Sequence, residues 1–257
     1  MAGGSDIADQ PGVPDPLAPG SRDGAVTVDD LYARLREQIL DGSLAEGSVL
    51  SQVKLAEQFG VNRTPLREAL RMLQREGLID AQYNRRVRVS RLTTADLEEL
   101  YAERIITEAL GIRLTVPGMG AEEIEALREL IGRMEGLASA ASFAEWEVAH
   151  HEFHNRLVAG VGERMQTRID QLGDYARRYR HAYSTMGRQA VEGFAQGARE
   201  HVAIVDACER GDGEAAGASL GRHLARTALT LISVREPTHD PAIVRGALQM
   251  VEEQSAG

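Results

Sequence analysis

The 257-residue sequence contains very little cysteine and few aromatic residues, and these shortages already exclude several classes of protein. Its single cysteine, Cys208, cannot form an internal disulfide framework, which fits a reducing compartment. No apolar run approaches the roughly 18 residues of a membrane-spanning helix, and the N-terminus lacks the basic start and apolar stretch of a secretory signal. Aromatic residues form only 4% of the chain while Ala, Leu, Glu and Arg are abundant, a composition that favours helices. We therefore expect a mainly α-helical, cytoplasmic protein that does not enter a membrane.

The net charge of -10 is distributed unevenly along the chain. Residues 62–91 contain eight arginines and only three acidic residues, whereas residues 92–257 contain 17 basic and 26 acidic residues. A basic segment beside an acidic one is typical of a small DNA-binding module joined to a separate domain. The negative total charge therefore does not exclude nucleic acid as a partner.

Turn residues and hydrophobic spacing divide the chain into four parts. Residues 1–26 contain four prolines, five glycines and no periodic apolar pattern, so we interpret them as a flexible tail. Residues 27–91 have the pattern of three helices followed by a two-stranded hairpin, which predicts a winged helix-turn-helix. Residues 94–235 contain six long helical stretches, and four of the five breaks between them contain Gly or Pro, which predicts an antiparallel helical bundle. We expect residues 236–257 to form a C-terminal tail or a short, loosely attached helix.

The third predicted helix, from Arg63 to about Glu76, has the features of a DNA-recognition helix. One face is apolar, and four arginines advance in steps of four residues along the outer face: Arg63, Arg67, Arg71 and Arg75. An arginine-rich amphipathic helix on its own is usually only a helix with one solvent-exposed face. Here a helix and a glycine turn precede it and a basic hairpin follows, which favours a DNA-recognition helix. Arginine can bond guanine O6 and N7 together or clamp a phosphate. The residues expected to contact DNA are Asn62, Arg63, Thr64 and Arg67, with Tyr83, Asn84, Arg85 and Arg86 at the wing tip.

The stretch LSQVKLAEQFGVNRTPLREALRMLQREGLI resembles the N-terminal domain of the GntR family of bacterial transcription regulators, and the resemblance covers residues 27–91. It implies that the start of the recognition helix and the wing tip contact operator DNA. Two residues depart from the family pattern: Val53 stands where many relatives have a base-reading arginine, and Arg86 where the wing usually has glycine. Both departures predict an altered operator preference.

The predicted bundle contains four histidines whose spacing indicates a possible metal site. His150 and His154 are four residues apart and therefore on one face of one helix, while His201 and His223 lie on two later helices. Antiparallel helices could bring these imidazoles together, and neutral imidazole binds Zn, Ni, Cu or Fe. On spacing alone, the alternative of surface or core histidines stays open.

Three segments of the same region, AHHEFHNRLV, EHVAIVDACERGDGEAA and GRHL, resemble the signature of the FCD ligand-sensing domain of FadR-type GntR regulators over about residues 94–235. That domain is a bundle of six or seven helices, whose metal-binding members use one Asp and three His around a central pocket. His154, His201 and His223 match the histidine places, and His150 stands in the aspartate place. A site of four histidines for a divalent metal, Zn or Ni, has no ligand charge, so we expect weaker binding and loss of metal near pH 6.

The resemblance also implies a homodimer, a small carboxylate effector and, in most members, repression. Arg104 matches an arginine common at the start of this domain, so it either faces the effector or pairs with Glu103 or Glu108. We therefore predict a repressor that binds double-stranded DNA at a palindromic operator, with an affinity controlled by a small carboxylate and a metal.

Three other functions are weighed against this prediction. A metal-independent sensor of acyl-CoA stays open because His150 replaces the aspartate, and a helical adaptor with a degenerate winged helix is a second alternative. An enzyme is not expected: HExxH would need a histidine where Asn155 stands, and neither a nucleophile motif nor a glycine-rich phosphate loop is present.

Overall fold

The computed structural model describes residues 26–82, 86–139, 142–184 and 188–254. Residues 1–25 of the expected flexible tail and the wing-tip residues Tyr83, Asn84 and Arg85 lie outside the described residues. The chain divides into two compact units, and the second begins at Arg91 apart from a short segment, Leu40–Gly42.

The first unit is the predicted winged helix-turn-helix. It contains α1 (Val28–Leu40), β1 (Val49–Leu50), α2 (Gln52–Phe59), α3 (Arg63–Arg75), β2 (Ile79–Gln82) and β3 (Arg86–Val89). The strands are antiparallel in the order β1-β3-β2, with Leu50 opposite Val87 and Ile79 opposite Val89. The sequence pattern did not predict β1, because two residues are too few to show an alternation of apolar and polar side chains.

The recognition helix α3 is fixed by its apolar face and by the turn before it. Gly60 ends α2 in the left-handed conformation (φ 63°), which glycine adopts without a steric cost. The side chains that bury α3 in the unit are Leu66, Ala69, Leu70 and Leu73. At its C-terminal end, Glu76 accepts hydrogen bonds from the Tyr32 hydroxyl at 2.7 Å and from Arg36 Nε at 2.8 Å. These contacts hold α3 in place within the unit and leave its outer face exposed.

The second unit is a bundle in which the described residues form seven α-helices. They are α4 (Thr94–Thr115), α5 (Ala121–Ser139), α6 (Phe143–Leu157), α7 (Glu163–Ser184), α8 (Arg188–Glu209), α9 (Gly213–Arg235) and α10 (Ala242–Gln254). The long helix α4 packs against α9, α10 and α7, and α5 packs against α6 and α8. Within the described ranges, no helix has the length and apolar character needed to cross a membrane.

The C-terminal segment differs from the loosely attached tail or short helix expected for residues 236–257. It forms α10, which packs through Val244, Ala247 and Val251. Glu98 of α4 anchors the start of this helix, because its Oε1 accepts the backbone N–H of Ile243 at 2.6 Å and its Oε2 lies 2.6 Å from His239 Nε2. The anchor joins residues more than 140 positions apart, so local sequence patterns could not reveal it.

The anchor predicts a pH-dependent contribution of Glu98 to stability. Burial alone would raise the pKa of Glu98, but the hydrogen bonds from His239 and the backbone amides of α10 lower it. A lowered pKa means that the ionised Glu98 stabilises the fold above its unfolded pKa, and that this stabilisation is lost as the pH falls through the folded pKa. We expect Glu98→Gln to reduce the free energy of unfolding at pH 7 by about 1–3 kcal/mol.

Urea unfolding at pH 7 and at pH 4 checks this prediction, with exposed Glu99→Gln as the matched control. The difference between Glu98→Gln and the native protein should shrink at the lower pH. An equal effect of both substitutions would contradict the anchoring role.

Candidate functional site

The exposed residues at the start of α3 form the candidate DNA-reading surface. Asn62, Arg63, Thr64 and Arg67 are all exposed, and the predicted apolar face is buried behind them. Asn62 occupies the N-cap position, but its side chain makes no capping hydrogen bond. Neither Arg63 nor Arg67 makes an ion pair within the described part of the chain, whereas Arg71 pairs with Glu68 at 2.7 Å. The first turn therefore offers uncommitted donors of the kind that read base edges.

Val53 lies on the neighbouring helix α2 and is 47% exposed. An exposed valine has no hydrogen-bond donor for a base edge, but its methyl groups can contact the methyl group of thymine. Where many relatives have an arginine, α2 therefore presents an apolar side chain without a hydrogen-bond donor.

The second candidate site is a buried cluster of His150, His154, His201 and His223. His150 and His154 come from successive turns of α6, His201 from α8 and His223 from α9. One ligand atom from each of the four side chains lies within 4.8 Å of the others, and each residue is at most 5% exposed. His201 Nε2 and His223 Nε2 are 3.3 Å apart, about the separation of two nitrogens that bind one tetrahedral zinc ion at about 2.0–2.1 Å. The structure thus brings together all four histidines.

Two glutamates contact the outer nitrogens of the cluster. Glu108 Oε2 lies 3.1 Å from His154 Nδ1, and Glu200 Oε2 lies 2.8 Å from His223 Nδ1. An ionised carboxylate accepts hydrogen bonds only, so each of these Nδ1 atoms is the protonated one. The Nε2 atoms of His154 and His223 then keep their lone pairs. Carboxylates in this position orient histidine ligands of metal sites and make them more basic.

Burial is the main influence on the protonation of the cluster. Burial lowers the pKa of all four histidines, and for His154 it lowers the pKa to about 4 although Glu108 partly opposes the shift. Burial would raise the pKa of Glu108, but Arg104 and His154 lower it to about 2. The expectation that the cluster protonates near pH 6 used the ordinary pKa of histidine, and burial moves protonation to lower pH.

The residues of the cluster fit a divalent metal ion. His150 Nδ1 and His154 Nε2 are buried and have no hydrogen-bond partner among the described residues. Such atoms are costly to bury unless another group binds them. Four neutral imidazoles suit Zn or Ni, and a bound ion of this kind would act as a Lewis acid that holds an oxygen of a ligand. The missing partners of these two nitrogens therefore favour a metal site over a merely structural cluster.

A cavity of roughly 550 Å³, including its open mouth, adjoins the cluster. Its lining includes His150, His201 and His223 together with aromatic and aliphatic side chains such as Trp146, Tyr183 and Leu231. Three arginines complete the lining: Arg104, Arg180 and Arg226. The combination of apolar walls, guanidinium groups and a histidine cluster suits a small organic anion.

Arg104 lines this cavity and also pairs with Glu108, with Nε and Oε1 at 2.6 Å. The ion pair with Glu108 and a place in the cavity lining are therefore compatible for this side chain. Arg180 is buried as well and pairs with Glu147, while its Nη1 has no hydrogen-bond partner in the described residues. The spacing of residues along α7 does not show that Arg180 points inward, because it does not fix the rotation of the helix in the bundle.

The contacts of Glu108 and Glu200 with the outer histidine nitrogens were not predicted from the sequence. One signal was available for each: Glu108 follows Arg104 by four residues and so shares its helix face, and Glu200 directly precedes His201. Neither spacing shows that the carboxylate reaches a histidine of another helix.

A winged helix-turn-helix followed by an all-helical domain with a buried histidine cluster defines a class of DNA-binding regulators that carry a separate sensing domain. Residues 27–89 match the gntR family of bacterial regulatory proteins, and residues 99–226 match the FCD domain. The chain belongs to the GntR family of transcriptional regulators and carries its FCD domain, so its class is that of regulators and not of enzymes.

The relatives agree with this assignment. An uncharacterized HTH-type transcriptional regulator of Agrobacterium vitis is 30% identical over 146 residues, which are 56% of this chain and 85% of that protein. The HTH-type transcriptional repressor GlaR of Escherichia coli is 27% identical over 204 residues, which are 77% of this chain and 93% of GlaR. The structure of E. coli McbR/YncC has a TM-score of 0.69 at 19% identity, covering 80% of this chain and 97% of that one, and so shares the fold.

Proposed function

We propose that this protein is a repressor of the FadR type that binds a palindromic operator as a homodimer. Its affinity for the operator is controlled by a small carboxylate and a metal. We assign DNA binding to residues 27–91 and sensing to residues 94–235. The observation that supports sensing is the four-histidine cluster beside an arginine-lined cavity. Arg104 is the proposed effector-binding residue because it lines that cavity.

We assign sequence reading to Asn62, Arg63, Thr64 and Arg67, and the contacts of the wing to Tyr83, Asn84 and Arg85. The support is the exposure of the first turn of α3 together with its uncommitted arginines. Two such helices on a homodimer would meet two half-sites of a palindrome in successive major grooves.

Arg63→Ala should weaken specific operator binding by about 1–3 kcal/mol, because it removes a donor group from the start of the recognition helix. The control is Arg75→Ala, which removes the same charge from the C-terminal end of the same helix. Selection of genomic fragments by the native protein supplies the operator, and fluorescence anisotropy at two salt concentrations measures the affinities. Equal losses in both variants would mean that the helix contributes only general attraction to phosphate.

For the metal, we propose His150, His154, His201 and His223 as ligands. His154→Ala removes one of the four nitrogens and should lower the affinity for Zn²⁺ by more than about 10-fold. The control is His151→Ala, since His151 lies on the same helix and directly follows His150, but its Nε2 lies 3.0 Å from Asn155 Nδ2 and it is not a member of the cluster. Calorimetric titration with Zn²⁺ measures both, and unchanged binding in His154→Ala would show that the metal site lies elsewhere.

For the dimer, we propose an apolar stripe on the outer face of α4 as the contact between subunits. Ile106, Leu110 and Leu114 recur every four residues and are between 41% and 56% exposed. Two copies of this stripe can pack across a two-fold axis near Leu110, so that each subunit offers the same surface to the other. Exposed apolar stripes of this kind are characteristic of contact surfaces.

Leu110→Arg should convert the dimer into a monomer, because it places a charge at the centre of the apolar contact. Val148→Arg is the control, since Val148 is an exposed valine of α6 with 60% exposure. Sedimentation equilibrium measures the mass of each variant. A dimeric Leu110→Arg protein would exclude the stripe as the contact.

The alternative of a metal-independent acyl-CoA sensor predicts a different outcome of the zinc titration. In that case the native protein would not bind zinc at the cluster, and His154→Ala would leave metal binding unchanged. If the protein is a helical adaptor, the substitution Arg63→Ala should leave its function intact. The unpartnered nitrogens of His150 and His154 favour the metal-dependent sensor over the metal-independent one.

A further inference from the structure

A second and smaller cavity also reaches the histidine cluster. Its volume is roughly 240 Å³, including its mouth, and it is lined by residues of α4, α6 and α7. His150 and His154 belong to its lining, whereas His201 and His223 line only the larger cavity described above. His150 belongs to the lining of both. The cluster therefore forms part of the wall of two cavities, and a metal ion has two possible routes to it.

The outer end of the smaller cavity is formed by His151 and Asn155 of α6 and by Gly173 of α7. These three residues are half-buried, while the other lining residues are buried. His151 Nε2 lies 3.0 Å from Asn155 Nδ2, and because an amide nitrogen donates, this Nε2 has a lone pair. A Cβ atom at Gly173 would lie only 3.6 Å from His151 Nδ1. The absence of a side chain at Gly173 thus leaves the space in which the His151 ring lies.

The smaller cavity offers metal-binding groups from its outer end to the cluster. His151 comes first, and His154, three residues later, lies about one turn further along the same helix. The carboxylate of Glu108 lines the same space. Imidazole and carboxylate groups are ligands of divalent metals in proteins. A divalent ion that moves into a buried region needs such groups, because a buried charge is costly unless it is paired or bound.

The larger cavity lacks such groups outside the cluster. Among the described residues that line it, the only imidazoles are those of the cluster and none carries a carboxylate. Arg104 and Arg180 line both cavities, whereas Arg226, Leu224 and Leu231 line only the larger one. A guanidinium group and apolar side chains do not bind cations. The smaller cavity is therefore the better route for a metal ion.

We propose that divalent metal ions enter and leave the histidine cluster through the smaller cavity, with His151 as their first ligand. The proposal rests on the proposed metal site, because the route matters only if the cluster binds an ion. It adds that His151 controls the rate of exchange and not the affinity, since it is not a member of the four-histidine cluster. Exchange of the metal then does not require the larger cavity to be empty.

Metal binding can be followed through Trp146, the only tryptophan of the chain. Its ring stacks on that of His150 with the centroids 4.5 Å apart, so Co²⁺ bound at the cluster should quench its fluorescence. The metal-stripped, full-length protein is mixed with Co²⁺ in a stopped-flow instrument to obtain the association rate constant. Calorimetric titration gives the dissociation constant of the same protein.

The variant His151→Ala removes the first ligand and at the same time widens the outer end of the cavity. We expect the association and dissociation rate constants for Co²⁺ both to fall by about 10-fold, which corresponds to about 1.4 kcal/mol of added barrier. The dissociation constant should change by less than about twofold, because the four cluster ligands are intact. If the ring were only an obstacle, its removal would speed association instead.

The variants Gly173→Leu and Gly197→Leu compare the two cavities with the same substitution. Gly173→Leu fills the space beside His151 and should slow association by about 10-fold or more. Gly197 lines the larger cavity, where a Cβ atom would lie 3.7 Å from Arg226 Nη2, so Gly197→Leu narrows that cavity instead. It should change the association rate constant by less than about twofold. If Gly173→Leu does not fold by circular dichroism, His151→Ala decides the question.

The negative results have different meanings. Slower association in Gly197→Leu but not in Gly173→Leu would show entry through the larger cavity and overturn the proposal. Unchanged or faster association in His151→Ala would also overturn it while leaving the metal site in place. If the native protein binds no Co²⁺ in the calorimetric titration, the proposed metal site is wrong and the present proposal fails with it.

Discussion

The hydrogen bonds between the outer nitrogens of His154 and His223 and the carboxylates of Glu108 and Glu200 are the constraint on which the geometry of the histidine cluster depends. They fix the tautomer of both rings, so the inner nitrogens keep lone pairs. The same two carboxylates pair with Arg104 and Arg226, which line the cavity. The orientation of the histidines and the position of the cavity arginines are therefore set by one connected network.

Helix α4 connects this network with the rest of the second unit. Its inward face provides Arg104 and Glu108, and Glu98 near its start anchors α10. Its outward face carries the apolar stripe that we propose as the dimer contact. A ligand that shifts the Arg104–Glu108 pair would act on the same helix that carries the proposed dimer contact. Such a shared element is what coupling between an effector and operator affinity requires.

Local periodicity was enough to predict the winged helix-turn-helix and the helical bundle, whereas the grouping of the four histidines was implied by the resemblance to the FCD domain, since their spacing alone left it open. It was not enough for features that depend on distant parts of the chain. The packing of α10 depends on Glu98, more than 140 residues earlier, and the contact of Glu108 with His154 joins two helices. The inward direction of Arg180 depends on the rotation of α7 in the bundle. Spacing along one helix carries no information on these contacts.

The most direct test of this account is X-ray absorption spectroscopy at the zinc edge of the zinc-loaded protein, without any added acid. The account predicts a first shell of nitrogen ligands at about 2.0–2.1 Å with the scattering pattern of four imidazoles. A shell dominated by oxygen, or one with fewer than three imidazoles, would contradict the assignment of the histidine cluster as the metal centre.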